Sequence, residues 1–264
     1  MSEAIPPVDA GAFDLAPRGG DGRLGAVCLH GLTGTPYEVR PIGEALAARG
    51  IHACGPVLPG HDSSVEALAQ LPYSAWIEAA RAAIASQRSQ HEVVFVAGLS
   101  LGGLTALAVA TEGLADAIAV VAAPLYLRPA PLVALLPAAK YVYPYLPKRE
   151  GSDIQDPAAC ARQPGYKQMP LRSLHELTKM QRWVRGRLAR ISVPIFVGHG
   201  ALDRTVASSD AHEIVAGVSS DDRRLLMLAR SGHVVPMDYD GPKLCQAIAD
   251  FFELRGRGES LPAT

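Results

Sequence analysis

A β-branched apolar run, EVVFVAG (92–98), passes into a second apolar run, LGGLTALAVAT (101–111), with only Leu99 and Ser100 between them. The first has the composition of a buried strand and the second that of a buried helix. A chain that changes from strand to helix within two residues must turn sharply. Gly98, Gly102 and Gly103 remove the Cβ atoms that would crowd such a turn. A buried strand feeding directly into a buried helix is half of a parallel crossover unit, so this segment commits the chain to layers of sheet and helix.

The rest of the sequence repeats that rhythm. Short apolar runs at 24–30, 51–56, 117–123, 194–200 and 224–230 predict further strands, and amphipathic periodicity predicts helices over 36–50, 73–88 and about 242–254. Strands apolar on both faces imply a mainly parallel sheet covered by helices on both sides. With 48% apolar and 19% charged residues, the 264-residue chain has enough apolar surface for one large core. The core unit is expected to comprise residues 1–123 and 193–264, with loosely held ends at 1–20 and 255–264.

Between them, residues 124–192 break the alternation, since a single crossover helix needs far fewer. This stretch holds Tyr126, Tyr141, Tyr143, Tyr145 and Tyr166, five of the chain's eight tyrosines, and an apolar run punctuated by prolines. It reads as a small, mostly helical cap insertion over the C-terminal edge of the sheet, where open α/β sheets bind ligands. Its apolar segment 131–146 is expected to roof the pocket with Leu, Val and Tyr side chains.

Charge and cysteine content exclude several classes of function. The 25 basic and 26 acidic residues nearly cancel and form no basic cluster, which argues against nucleic acid as a partner. Cys28, Cys54, Cys160 and Cys245 lack metal-ligand spacing and read as free thiols, so no metal and no cofactor is expected. The opening MSEAIPPVDAGAFDLAP has neither a basic nor an apolar leader region, and no stretch reaches about 18 apolar residues. A cytoplasmic protein without stable membrane insertion is expected, as a monomer or homodimer.

Gly98-Leu99-Ser100-Leu101-Gly102 is G-x-S-x-G in the strand–turn–helix context that gives the motif meaning. The helix start directs unpaired N–H groups at any negative charge forming beside Ser100, and Leu101 N–H is the first oxyanion donor expected. Serine is a weak nucleophile without a base and a group to orient that base. His233 follows the last strand in a short loop, and His199 is its rival. Asp203 follows the 194–200 strand, with Asp221, Asp222 and Asp238 as alternatives. His30, His52, His61, His91, His175 and His212 suit packing or surface roles. Early in the chain, His30-Gly31-Leu32-Thr33-Gly34 ends a strand in a glycine-rich turn, where Leu32 N–H is the second oxyanion donor expected.

Through HGLTGTP, PVLPGHD, VAGLSLGG, GSDIQDP, GALD and SGHVV, the chain resembles small bacterial carboxylesterases and monoacylglycerol lipases of the α/β-hydrolase superfamily. The resemblance runs from about Leu24 to Phe252. It implies an α/β-hydrolase fold with a cap, no cofactor and a Ser100–Asp203–His233 triad. The implied substrate is a small-molecule carboxylic ester, cleaved through an acyl-enzyme; the apolar roof expected over 131–146 adds a preference for short to medium acyl chains. Amide or carbon–carbon bond hydrolysis and acyl transfer on the same triad remain alternatives, as does a non-catalytic binding protein on this scaffold. One departure is Gly60-His61-Asp62, where relatives usually have G-H-G; a different loop shape is expected there.

Overall fold

The computed structural model describes residues 8–148 and 152–259. A seven-stranded sheet forms the centre, in the order β1 (Phe13–Leu15), β3 (His52–Gly55), β2 (Leu24–Leu29), β4 (Val93–Leu99), β5 (Ala117–Val121), β8 (Ile195–Gly200) and β9 (Arg223–Leu228). Only β1 runs antiparallel; all other neighbours pair parallel. After β3 the chain crosses back past β2 to build the sheet outward through β4. The order therefore reverses at β2 and β4, and the crevice at their C-terminal ends is where such a sheet takes a ligand.

Helices cover both faces. One apolar cluster joins Leu29 of β2 to α3 (Tyr73–Arg88) and α4 (Leu101–Ala110), and the opposite cluster joins Phe95 to α1 (Arg40–Ala48) and α9 (Gly241–Gly256). α8 (Ser208–Gly217) connects β8 to β9, and the short α2 (Val65–Gln70) follows β3. The helix expected over 36–50 is broken into a 3₁₀ turn at Pro36–Glu38 and α1 proper, since Pro36 and Pro41 each suit only a helix's first turn.

The N-terminal stretch is less loose than its composition suggested. Residues 13–15 add the edge strand β1 because Phe13 is buried against Gly43 and Gly55, where a Cβ would stand 2.6 and 2.2 Å from its ring. Residues 1–7 and 260–264, also read as loose, lie outside the described residues.

Between β5 and β8 lie α5 (Ala130–Val142), β6 (Tyr145–Pro147), α6 (Pro157–Arg162), β7 (Gln168–Pro170) and α7 (Leu171–Arg185). β6 and β7 pair as an antiparallel ribbon that periodicity had not indicated, its three-residue strands being too short to show any. α7 is amphipathic, and its Leu177, Met180 and Val184 join the main core beside α3 and α4. α5 buries Leu136 alone.

Candidate active site

The elbow at Ser100 forms as the glycines require. Ser100 has φ 55°, a left-handed conformation costly for a residue with a Cβ, while its N–H donates to Val121 O at 2.8 Å. A Cβ on Gly98 would stand 2.1 Å from Gly102 O, and one on Gly102 only 2.0 Å from Leu29 O. Strand and helix can approach this closely only with hydrogen at both positions. Ser100 is thereby held at the N-terminus of α4, half-buried, and lines a pocket of about 160 Å³.

His233 and Asp203 meet at the same edge. His233 Nδ1 donates to Asp203 Oδ2 at 2.8 Å, which leaves Nε2 with its lone pair, and the His233 side chain also lines the pocket. The other oxygen, Oδ1, accepts the N–H groups of Thr205 and Val206 at 2.8 Å each. Burial opposes ionisation of the Asp203 carboxyl, but the His233 ring and the Val206 amide together hold it below the usual carboxylate range. Burial likewise opposes charge on His233, yet the Asp203 carboxylate, helped by Asp153 and Glu38, raises its pKa above the ordinary imidazole value.

The rival residues have other partners. Asp238 accepts the N–H groups of Gly232, Gln155, Asp156 and Tyr239, so it is a bracket for the His233 loop. Asp222 pairs with Arg255, and Asp221 is exposed. His199 is 1% exposed, donates from Nε2 to Val206 O at 3.2 Å, lies with that nitrogen 3.5 Å from Asp203 Oδ2, and does not line the pocket. No cysteine sits at the site, and burial pushes the Cys54 and Cys245 thiols up to about 11 and about 12.

The loop after β2 is pinned residue by residue. His30 Nδ1 donates to Gly31 O, and His30 Nε2 accepts Leu58 N–H. His61 Nε2 accepts Thr33 N–H while its Nδ1 donates to Leu58 O. Burial pulls the two rings down to about 3 for His30 and about 4 for His61, so both stay neutral and keep an acceptor nitrogen. Gly34 N–H donates to Gly31 O, Tyr166 N–H donates to Thr33 O, and Gly31 N–H donates to the Glu38 carboxylate. Among the amides of residues 31–34, only that of Leu32 has no protein acceptor. The departure at Gly60-His61-Asp62 has little consequence for the backbone. Gly60 carries the positive φ of 82°, whereas Asp62 is exposed and needs no glycine geometry.

The roof differs from expectation. No residue of 128–147 lines the pocket; Leu132, Leu135, Tyr141, Val142 and Tyr143 are exposed. Prolines 129 and 131 start α5 and its apolar residues lie around the whole helix, so they do not gather into one inward face. The apolar walls are instead Leu99, Leu127, Met169, Leu174, Leu177 and Val206, with Glu38, Lys148 and Asp153 adding charge. Sequence reasoning missed these charged groups. Asp153 lies within GSDIQDP, a recognisable motif; it accepts Arg204 N–H, and its own carbonyl accepts the His233 and Val234 amides. Glu38 and Lys148 carry no comparable signal.

The family model Hydrolase_4, described as serine aminopeptidase, S33, matches residues 23–240. A thermostable monoacylglycerol lipase of Bacillus sp. (strain H-257) is 29% identical over 252 residues, 96% of this chain and 98% of the relative. A carboxylesterase of Bacillus subtilis (strain 168) is 26% identical over 237 residues, 89% and 94% of the two chains. A solved structure from work on the metagenome-derived lipolytic enzymes LipS and LipT aligns with TM-score 0.84 at 25% identity, covering 92% of this chain and 98% of that one. The monoacylglycerol lipase of Paleococcus ferrophilus aligns with TM-score 0.78 at 17% identity, covering 93% and 99%. With its parallel sheet, its serine elbow and this match across most of its length, the chain belongs to the Hydrolase_4 (serine aminopeptidase, S33) family and has the α/β-hydrolase fold.

Proposed function

We propose that the protein is a serine hydrolase of carboxylic esters with short to medium acyl chains, monoacylglycerols among them. The observation that carries this reading is the Asp203–His233 hydrogen bond of 2.8 Å, with His233 and the strained Ser100 on one pocket wall. Ser100 Oγ attacks the ester carbonyl carbon as its proton passes to His233 Nε2, and Asp203 stays ionised to hold the imidazolium. The resulting oxyanion is taken up by the N–H groups of Leu32 and Leu101. The free state of the Leu32 amide in an otherwise satisfied loop supports its half of that role. Collapse breaks the ester C–O bond, and His233 protonates the departing alcohol. Water then attacks the acyl-enzyme by the same route in reverse, releasing the carboxylic acid and Ser100.

Residues 124–192 serve as the cap in this reading. Leu127, Met169, Leu174 and Leu177 from that stretch give an acyl chain an apolar wall. Each buried methylene adds at most about 0.8 kcal/mol, so kcat/KM should climb from acetate to medium-chain monoesters and then level off.

The test is a fluorophosphonate probe with an acyl-chain series. Ser100 should be the labelled residue, and Ser100→Ala should abolish both labelling and hydrolysis. Labelling elsewhere refutes the triad, and preference for triolein or acetate refutes the cap. Faster cleavage of an aminoacyl anilide than of any ester would favour the peptidase activity in the family's description.

A further inference from the structure

The loop that carries the Leu32 amide is held by two neutral histidines, by backbone, and by one carboxylate. That carboxylate is Glu38, which is only 6% exposed and lines the same pocket as Ser100. Its Oε2 accepts Gly31 N–H at 3.0 Å, and its Oε1 accepts Gln163 Nε2 at 2.8 Å. The loop is shaped to receive it: a Cβ on Gly34 would stand 2.3 Å from both carboxylate oxygens. Burying a carboxylate is costly, and no member of the triad bonds to this one.

The consequence falls on one peptide plane. Gly31 O and Leu32 N–H share a planar amide and point in opposite directions. Gly31 O is fixed by His30 Nδ1 at 2.9 Å and Gly34 N at 3.2 Å, which turns Leu32 N–H the other way. Glycine imposes little on its own φ and ψ, so this plane holds only if Gly31 is gripped on its N–H side as well. Glu38 is that grip, and Gln163 fastens it from the insertion.

We infer that Glu38 is a positioning residue for the oxyanion hole, keeping the Leu32 amide aimed by binding Gly31 N–H, with Gln163 as the latch that couples the 124–192 insertion to the loop. This rests on the reading of Leu32 as an oxyanion donor. The function required of Glu38 in this role is that of a hydrogen-bond acceptor, which a neutral amide can also supply, even though the charge that acts on His233 and Lys148 is then lost. In Glu38→Gln the new carbonyl keeps Gly31 N–H, and Gln163 can rotate its amide to offer Oε1, a buried atom that now has no partner.

Kinetics on a short chromogenic ester test this, with the rate of Ser100 phosphonylation by a fluorophosphonate measured alongside. Glu38→Ala should lower kcat about 10- to 100-fold, less than the full loss of one oxyanion donor, with KM changed by less than about threefold. Phosphonylation, which builds the same tetrahedral oxygen, should slow in parallel. Glu38→Gln should recover kcat to within about threefold of wild type. A folded Glu38→Ala with wild-type kcat overturns the inference, as does a Glu38→Gln loss equal to that of Glu38→Ala. Should Glu38→Ala not fold, Gln163→Ala decides: kcat lowered about 3- to 10-fold at constant KM supports the latch, and unchanged kcat overturns it. Wild-type protein that is not labelled at Ser100 would instead overturn the hydrolase reading itself.

Discussion

α4 and α5 are both apolar helices that follow neighbouring strands, yet they end in opposite surroundings. All ten residues of α4 are buried, from Leu101 to Ala110, whereas α5 buries Leu136 alone and leaves Leu132 and Leu135 at 63% and 60% exposure. Apolar composition therefore does not decide burial. α4 is drawn inward because its entry from β4 is fixed by Gly98 and Gly102, and it is clamped between sheet, α3 and α7. α5 is anchored by its flanks and packs mainly on α7. The serine elbow lies at the rigid junction, where small displacements are resisted on every side.

Replacing Asp203, the acid of the proposed triad, should give the largest effect on the junction side of this contrast. Asp203→Asn should lower kcat by about 10³ or more, because the Nδ1 partner fixes the tautomer His233 needs as a base. The pH profile should move with it. His233 is raised above about 6.5 in the native protein, and only its neutral form accepts the serine proton, so kcat/KM should reach half its plateau above pH 6.5. In Asp203→Asn the anionic partner is gone and any residual activity should have its midpoint at lower pH. A wild-type midpoint well below 6.5 would show that Asp203 does not act on His233 as an ionised partner.

A second effect separates packing from propensity. Gly102→Ala lies within a helix, where alanine is favoured by up to about 1 kcal/mol. At this position the new Cβ would stand 2.0 Å from Leu29 O, so we expect a loss of about 3 kcal/mol or more in denaturant unfolding. A neutral or stabilising result would mean that β2 and α4 are not as tightly apposed as the elbow requires. The smallest effect belongs to α5. Leu135→Ser removes an exposed side chain and should change stability by less than about 0.5 kcal/mol, leaving hydrolysis of a short ester intact. A loss near that of a core leucine would show that α5 is covered by something when the protein is in solution.

The loop histidines extend the contrast to electrostatics. His233 is raised by a carboxylate and His61 is lowered by burial to about 4, although both rings are largely buried. Sequence position separates them, His233 lying after the last strand and His61 before Ser100, but the local context does not, since each follows a glycine in a post-strand loop. The partner reached through space decides: Asp203 for one, and a Thr33 amide that requires a neutral acceptor for the other.

Much of the molecule was legible without tertiary information. The strand-to-helix change around Ser100 and the mainly parallel sheet follow from local patterns, because periodicity and glycine spacing are properties of neighbouring residues. What only the tertiary structure decided depends on contacts between distant segments. Phe13 makes a strand of residues 13–15 by packing on Gly43 and Gly55, and α7 rather than the more apolar α5 enters the core. Glu38 becomes a buried partner of Gly31 only after Gly34 opens space and Gln163 arrives from 125 residues away. A carboxylate at the start of a helix looks solvated in sequence; the fold alone determines that this one is buried and that the Gly31 amide meets it.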